Sequence, residues 1–324
     1  MTARYVQPLR ILIQFCLLGF MLWIGVRFYW FADQLRSGAA VSTAARPVAV
    51  EGFLPISGLV GLTAWAKGLG FTRIHPAAVV ILLTVLALAF GLHRSFCSWV
   101  CPVATVSECL WKLGYRLMKR NPRLPGLIDR FMRGLKYLVL GFFLWSICLA
   151  MSPAALEAFL LSDYHKVADI RLLDFFMHIS PPALGFILTL TLLSLPLRNP
   201  FCRYICPYGA LLGLVAILSP VRVTRDTSRC VSCGICSQVC PTGIDVMNKP
   251  SVASPECIGC WRCVSHCRFN EALSMRVAGR YAIAGVVFAL LVLIILWGGS
   301  MVGKLSGHWH TPIDASEYRR LLAP

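Results

Sequence analysis

Eight cysteines fall into two runs of identical spacing, Cys230-x2-Cys233-x2-Cys236-x3-Cys240-Pro241 and Cys257-x2-Cys260-x2-Cys263-x3-Cys267-Arg268. C-x2-C-x2-C-x3-C is the spacing with which thiolates hold [4Fe–4S] cubanes, three from one run and the fourth from the other. The pattern therefore assigns Cys230, Cys233, Cys236 and Cys267 to one cluster, and Cys257, Cys260, Cys263 and Cys240 to a second. Pro241 stands where the pattern has its proline, and Arg268 takes that place in the second run. Zinc sites also use C-x2-C pairs, but two complete four-cysteine runs in tandem fit zinc poorly. A disulfide framework is open to such a chain only in an oxidising compartment.

A second cysteine pair occurs twice. Phe96-Cys97-Ser98-Trp99-Val100-Cys101-Pro102 and Phe201-Cys202-Arg203-Tyr204-Ile205-Cys206-Pro207 share the pattern F-C-x-aromatic-aliphatic-C-P. Cysteines at i and i+4 face one side of a helix, and the proline suits a helix boundary. If the two copies meet, Cys97, Cys101, Cys202 and Cys206 make a third redox or metal site. They could ligate a further cluster, bind Cu(I), or cycle between dithiol and disulfide. Structural thiols at helix ends are the bland alternative, and repetition of the whole seven-residue pattern argues against it. The remaining Cys16, Cys109 and Cys148 lie singly in apolar surroundings and read as small core residues.

These cysteines must be positioned by a membrane protein. Of 324 residues 57% are hydrophobic and 14% charged, with mean hydropathy +0.70; soluble domains carry about 25% charged residues. Five apolar runs read as spans: Leu9 to Phe31, Pro76 to Leu92, Leu135 to Met151, a stretch within Ile179 to Leu197, and Tyr281 to Val302. Arg4 and Arg10 open the first run and Ala44 and Ala45 follow it, as in a signal peptide. Its length and the Arg27, Tyr29 and Trp30 end favour an uncleaved anchor. The stretch Phe53 to Trp65 either lies on the outer interface or packs on the bundle. Val106, Leu110, Leu113 and Leu117 form an apolar stripe opposite Lys112, Arg116 and Lys119, which fits a helix lying on a leaflet.

The net charge of +17 is read as topology rather than nucleic-acid binding. Basic residues crowd His93 to Lys136 and Arg198 to Arg280, whereas acids dominate Ser152 to Pro182. Lys and Arg favour cytoplasmic loops. The chain is therefore expected in the bacterial cytoplasmic (inner) membrane, with the N-terminus and both cluster runs cytoplasmic and the C-terminus outside. A reducing cytoplasm removes most of the disulfide alternative.

The expected fold is an all-α polytopic bundle of about five transmembrane helices with a two-half internal repeat, carrying a small α+β two-cluster insert like a bacterial ferredoxin. Three regions follow: residues 1–221 with four spans and both F-C-x3-C-P motifs, residues 222–278 with the two clusters, and residues 279–324 with the fifth span and a short outer tail. No C-x-x-C-H haem attachment, P-loop or dinucleotide fingerprint occurs. None of the seven histidines falls mid-span, which makes a haem inside the bundle improbable.

Together the tandem runs and the two F-C-x3-C-P motifs resemble the NapH/NosR/CcoG (FixG) group of membrane polyferredoxins, over most of the chain. Phe96 to Pro102 is especially similar to NapH-type sequences. The fifth span departs from NapH, and the large outer domains of NosR-like and CcoG-like proteins have no counterpart here. The resemblance implies a membrane-bound iron–sulfur protein relaying electrons between the quinol pool or a cytoplasmic donor and a partner redox protein or ferredoxin. It would be a carrier or a component of a quinol dehydrogenase. On the residues alone, Trp99, Tyr204 or His93 could stand near a quinone headgroup, although aromatics at that depth more often form the interfacial belt. Two alternatives stand beside it: a copper or other metal reductase or assembly factor using the F-C-x3-C-P thiols, and a membrane anchor for a redox complex.

Overall fold

The structure, a computed structural model, describes residues 5–37, 45–122, 124–269 and 271–322. Arg4, Ala44 and Arg123, which figure in the charge and cleavage arguments, lie outside the described residues.

The chain opens with α1 (Val6–Arg36), a 3-10 turn (Val48–Phe53) and α2 (Pro55–Ala66). There follow α3 (Pro76–Leu92), α4 (Ser95–Trp99), α5 (Pro102–Met118) and α6 (Gly126–Leu144), which continues as a π turn (Trp145–Ala150). Next come α7 (Pro153–Leu161), α8 (Asp163–Lys166), α9 (Ala168–Met177), α10 (Pro181–Leu193), a π turn (Phe201–Ile205) and α11 (Pro207–Ile217). The cysteine-rich region holds β1 (Val221–Arg225), α12 (Ile235–Gln238), β2 (Ser251–Val252), α13 (Arg262–Ser265), β3 (Leu273–Val277) and β4 (Tyr281–Ala282). The chain closes with α14 (Gly285–Leu305) and α15 (Ala315–Leu322).

Among the described residues three helices are long and apolar enough to cross a membrane: Val6–Arg36, Gly126–Ala150 and Gly285–Leu305. A fourth is reached if α9 and α10, bent by 77°, count as one span. The sequence reading counts five. The difference lies in helix length. The helix α3 has the predicted bounds, Pro76 to Leu92, but runs only 17 residues, and α10 stops after 13, two residues short of the Leu195-Pro196 step where proline removes a donor.

The chain forms two compact units. One gathers the start of the chain up to Leu18, Val85–Leu140 and Phe186–Leu296. Its sheet has strand order β2-β1-β3-β4, all antiparallel, with Val223 opposite both Val252 and Met275. Alternation sends Val221 and Val223 of β1, and Leu273 and Met275 of β3, to the buried face. This small mixed region agrees with the expected α+β insert.

The other unit gathers Gly19–Thr84, Gly141–Gly185 and residues from Trp297 onward. One core joins Ile24, Phe28, Phe31, Val50, Ile170 and Tyr318. A second joins Val60 and Ala64 of α2 to Ile147, Leu156 and Leu160, so the Phe53 to Trp65 stretch packs into the protein. Buried charge here is paired: Arg46 meets Glu51 at 3.0 Å and Asp169 at 2.7 Å. His165 Nδ1 donates to the Leu160 carbonyl at 3.0 Å, leaving Nε2 to accept from Ser57 Oγ at 2.8 Å.

Candidate cluster-binding site

Cys240, Cys257, Cys260 and Cys263 line a single cavity of about 390 Å³. These are the four thiols that spacing assigns to the second cluster. The rest of the wall is largely apolar, with Val223, Val252 and Met275 from the sheet and Ile244, Val246 and Trp261 from the loops. Burial pushes the Cys257 thiol up to about 12, with Cys260 and Cys240 adding to it, and holds Cys263 well above the ordinary thiol range. Such thiols stay protonated until a cation such as the iron of a cluster takes the proton's place on sulfur, the proton leaving to solvent. The donor set and the dry wall fit a thiolate-held cluster.

Both runs share one backbone device. Ser232 (φ 55°) and Gly234 (φ 74°) flank Cys233, and Gly259 (φ 58°) and Trp261 (φ 62°) flank Cys260, all in the left-handed region. Alternating right- and left-handed residues turn successive N–H groups inward, making a concavity for an anion. Gly259 is also held close: a Cβ there would sit 3.3 Å from the Leu92 carbonyl oxygen.

The first set is less enclosed. Cys236 is buried, Cys230 and Cys267 are half-buried, and Cys233 is exposed. Arg225 Nη1 lies 3.7 Å from Cys230 Sγ, and Cys230 acts electrostatically on Cys236. Val231 and Phe269 are exposed beside them.

The F-C-x3-C-P segments meet the second run. Arg94 Nη1 donates to the Pro255 carbonyl at 2.8 Å, Ser98 Oγ to that of Ile258, and Trp99 Nε1 to that of Gly259 at 3.1 Å. Just ahead of the second copy, Arg198 donates to the Gln238 and Cys240 carbonyls at the end of the first run, at 3.1 and 3.3 Å. Cys97 and Cys202 line a common cavity of about 350 Å³, together with Arg94, Asn199, Arg203, Thr242 and Glu256. Cys101 and Cys206 lie at equivalent places, as N-caps of α5 and α11 with proline following. The one-helix-face expectation needs correcting here. The helix α4 ends at Trp99 and Cys101 is already extended (ψ 121°), so each pair spans the break between two helices. The four thiols still interact across the copies: burial raises Cys101 to about 12 with help from Cys97 and Cys206, and raises Cys202 with help from Cys101, Cys206 and Cys97. Among the described residues, no three His, Cys, Asp or Glu side chains converge closely enough for a single metal ion.

Several contributing residues escaped the sequence reading because they look like topology charges. Arg10, fully buried, grips Glu108 through two hydrogen bonds of 2.9 and 2.7 Å and donates to the Ser98 carbonyl at 3.0 Å. Arg262, set between Cys260 and Cys263, meets the same carboxylate at 2.6 Å. Burial alone would raise Glu108, but Arg10, Arg262 and Lys112 hold it well below the usual carboxylate range. Gln7 Nε2 donates to the Cys260 carbonyl at 2.9 Å. Lys136 holds Glu256 at 2.6 Å, and Arg203 and Tyr204 reach Asp129 at 2.8 and 2.7 Å. A lone Arg in an apolar run was the one local signal for Arg10. His93 and Trp99 are buried, and burial with Arg94 and Arg222 beside it takes His93 down to about 4, so its ring is neutral.

Residues 74–125 and again 179–224 match the family model of a 4Fe–4S binding domain, each stretch containing one F-C-x3-C-P motif. Residues 222–268 match that of a 4Fe–4S dicluster domain. The chain is 36% identical to YccM of Escherichia coli (strain K12), over 95% of this chain and 88% of that protein. It is 28% identical to the ferredoxin-type protein NapH of the same organism, over 59% and 66% of the two chains. It is 28% identical to the methylamine utilization ferredoxin-type protein MauN of Methylorubrum extorquens, over 56% and 57%. No solved structure matches.

Proposed function

The chain belongs to the NapH/MauN/YccM-type membrane ferredoxin-type proteins with 4Fe–4S binding domains, and on that premise we propose that it carries single electrons between the membrane and a partner redox protein. The inner station is held by Cys240, Cys257, Cys260 and Cys263, and the outer one by Cys230, Cys233, Cys236 and Cys267. The observation that supports this order is the join between the two kinds of motif. Trp99, between Cys97 and Cys101, donates to Gly259, between Cys257 and Cys260.

When bound, a [4Fe–4S] cluster supplies a one-electron couple whose potential follows charge, hydrogen bonding and exposure. The chain's own residues do the rest. Val223, Val252 and Met275 keep water from the inner cavity. Arg94, Ser98 and Trp99 fix the loop that carries Cys257 and Cys260. Arg10 and Arg262 place buried positive charge beside Cys260 and raise the stability of an anionic neighbour. At the outer station the exposed Cys233, Val231 and Phe269 offer an edge for a soluble partner. Quinol in the bilayer or a cytoplasmic donor feeds the relay. The alternation of Lys and Arg supports a cytoplasmic placement of the cluster region.

The test uses full-length protein purified anaerobically and returned to vesicles. Cys260→Ser should remove the inner cluster, leave the outer one visible after dithionite reduction, and stop a quinol analogue from reducing the outer one. Undiminished reduction with the inner cluster gone would overturn the relay.

A further inference from the structure

The cavity shared by Cys97 and Cys202 is more positive than thiols alone require. Arg94 is buried to 2% exposure. Its Nη2 lies 4.0 Å from Cys97 Sγ. It also reaches the second motif: a Cβ built on Gly209 would meet Arg94 Nη2 at 3.0 Å and Cys206 Sγ at 3.6 Å. Phe96 of the first motif packs edge-on against Tyr208, just after the second, with ring centroids 5.9 Å apart. One guanidinium thus serves both cysteine pairs.

Its countercharge falls short. Glu256 is the sole acid among the described residues lining the cavity. That carboxylate is held by Lys136 at 2.6 Å and lies 3.8 Å from Arg94. Arg203, which Asp129 meets at 2.8 Å, lines the cavity as well, as does Arg198 with its bonds to the Gln238 and Cys240 carbonyls. Arg94 Nε, Arg203 Nε and Asn199 Oδ1 are buried without a hydrogen-bond partner among the described residues. Buried cations need an anion nearby.

We propose that Cys97, Cys101, Cys202 and Cys206 together hold one [4Fe–4S] cluster, shared between the halves of the repeat, with Arg94 as the positioning residue that balances its charge. The inference deepens the relay reading, resting on it for the purpose of the site and not for its occupant. Charge separates the candidates. A cubane of about 2+ held by four thiolates is an anion of about 2−. A disulfide is neutral and leaves Arg94 only the Glu256 carboxylate, which Lys136 already holds. Cu(I) between two thiolates carries about one negative charge and leaves the other pair unused. Stoichiometry agrees: each half matches a 4Fe–4S binding domain yet supplies one motif pair of thiols, and a cubane takes four.

The experiment measures iron, acid-labile sulfide and copper in anaerobically purified full-length protein, with a redox titration followed by electron paramagnetic resonance. Three cubanes predict about twelve irons and about twelve sulfides without copper. Cys97→Ser, Cys202→Ser and the double variant should each fall to about eight, the two ferredoxin-type clusters remaining. Arg94→Gln should move one of three centres to lower potential, because the reduced, more negative form loses its neighbouring cation, or should shed that centre alone. Arg94→Lys should keep the centre near its native potential. About eight irons in the native protein, with copper or a mapped disulfide at these cysteines, overturns the proposal. So does full iron with all potentials unmoved in Arg94→Gln. Iron content reads the occupant whether or not electrons flow, so eight irons would sink this inference and leave the two-station relay standing.

Discussion

Trp99 Nε1 donates to the Gly259 carbonyl at 3.1 Å, so the residue between two membrane-side thiols is bonded to the residue between two cluster thiols. Trp99 is fully buried and its ring lies 5.6 Å from that of Phe288, which also meets Trp261 at 5.5 Å. Trp99→Phe keeps most of the packing and orphans the carbonyl. A loss of about 1–3 kcal/mol in stability is expected, with slower transfer between membrane and inner cluster. Thermal unfolding and cluster reduction kinetics on one preparation check it. Unchanged behaviour on both counts would show that the bond carries neither stability nor coupling.

Two glycines of α11 make room for Arg94 and its partner. A Cβ on Gly213 would sit 2.8 Å from the Pro255 carbonyl oxygen, whereas one on Gly209 meets the tip of Arg94 at 3.0 Å. Backbone yields less readily than a side-chain end. Gly213→Ala should therefore cost about 1–3 kcal/mol, despite a helix-propensity gain of up to about 1 kcal/mol. Gly209→Ala should cost less. Melting temperatures of the two variants in detergent decide; the reverse order would contradict the packing described.

His165 predicts a pH dependence. Burial, with His75 beside it, takes its pKa from 6.5 to about 4. Between those values the unfolded chain takes up a proton that the folded chain refuses, so stability is full above about 6.5 and declines as pH falls toward about 4, by up to about 3 kcal/mol. His165→Gln should remove about half of this dependence between pH 7.5 and 5.5, because His93, also held down to about 4, contributes with the same sign. A variant whose melting temperature still falls as steeply as the native protein's would assign the effect elsewhere.

Topology is checked by fusion. A reporter at the C-terminus should be active only when exported, and one inserted within Asp245 to Ser254 should report cytoplasm. The basis is the Lys and Arg bias of His93 to Lys136 and Arg198 to Arg280. Both reporters on one side would remove Gly285–Leu305 from the spans.

What could be read ahead was whatever the chain encodes locally. Spacing groups Cys257, Cys260 and Cys263, and the structure puts Cys240 in one cavity with them. The helix α3 begins at Pro76 and ends at Leu92 as its apolar run predicts. Pairings across long separations had no such signature. Arg10 finds Glu108 98 positions away and Lys136 finds Glu256 120 positions away; in sequence each counts only as one more charge. The break between Cys97 and Cys101 was hidden for another reason: spacing of four is equally compatible with one helix turn and with a short turn feeding a proline-led helix.

The unequal cover of the two cysteine sets sets an order of failure under oxygen. Cys233 stands in solvent, while Cys240 is buried behind Val223 and Met275. Air should strike the outer cluster first and disconnect the partner before the inner station is harmed. The outer centre would then act as a fuse: a damaged molecule stops delivering electrons outward rather than leaking them at random, and rebuilding one accessible cluster restores it. Timed air exposure followed by electron paramagnetic resonance should show one signal fading ahead of the other, and simultaneous decay would deny the fuse.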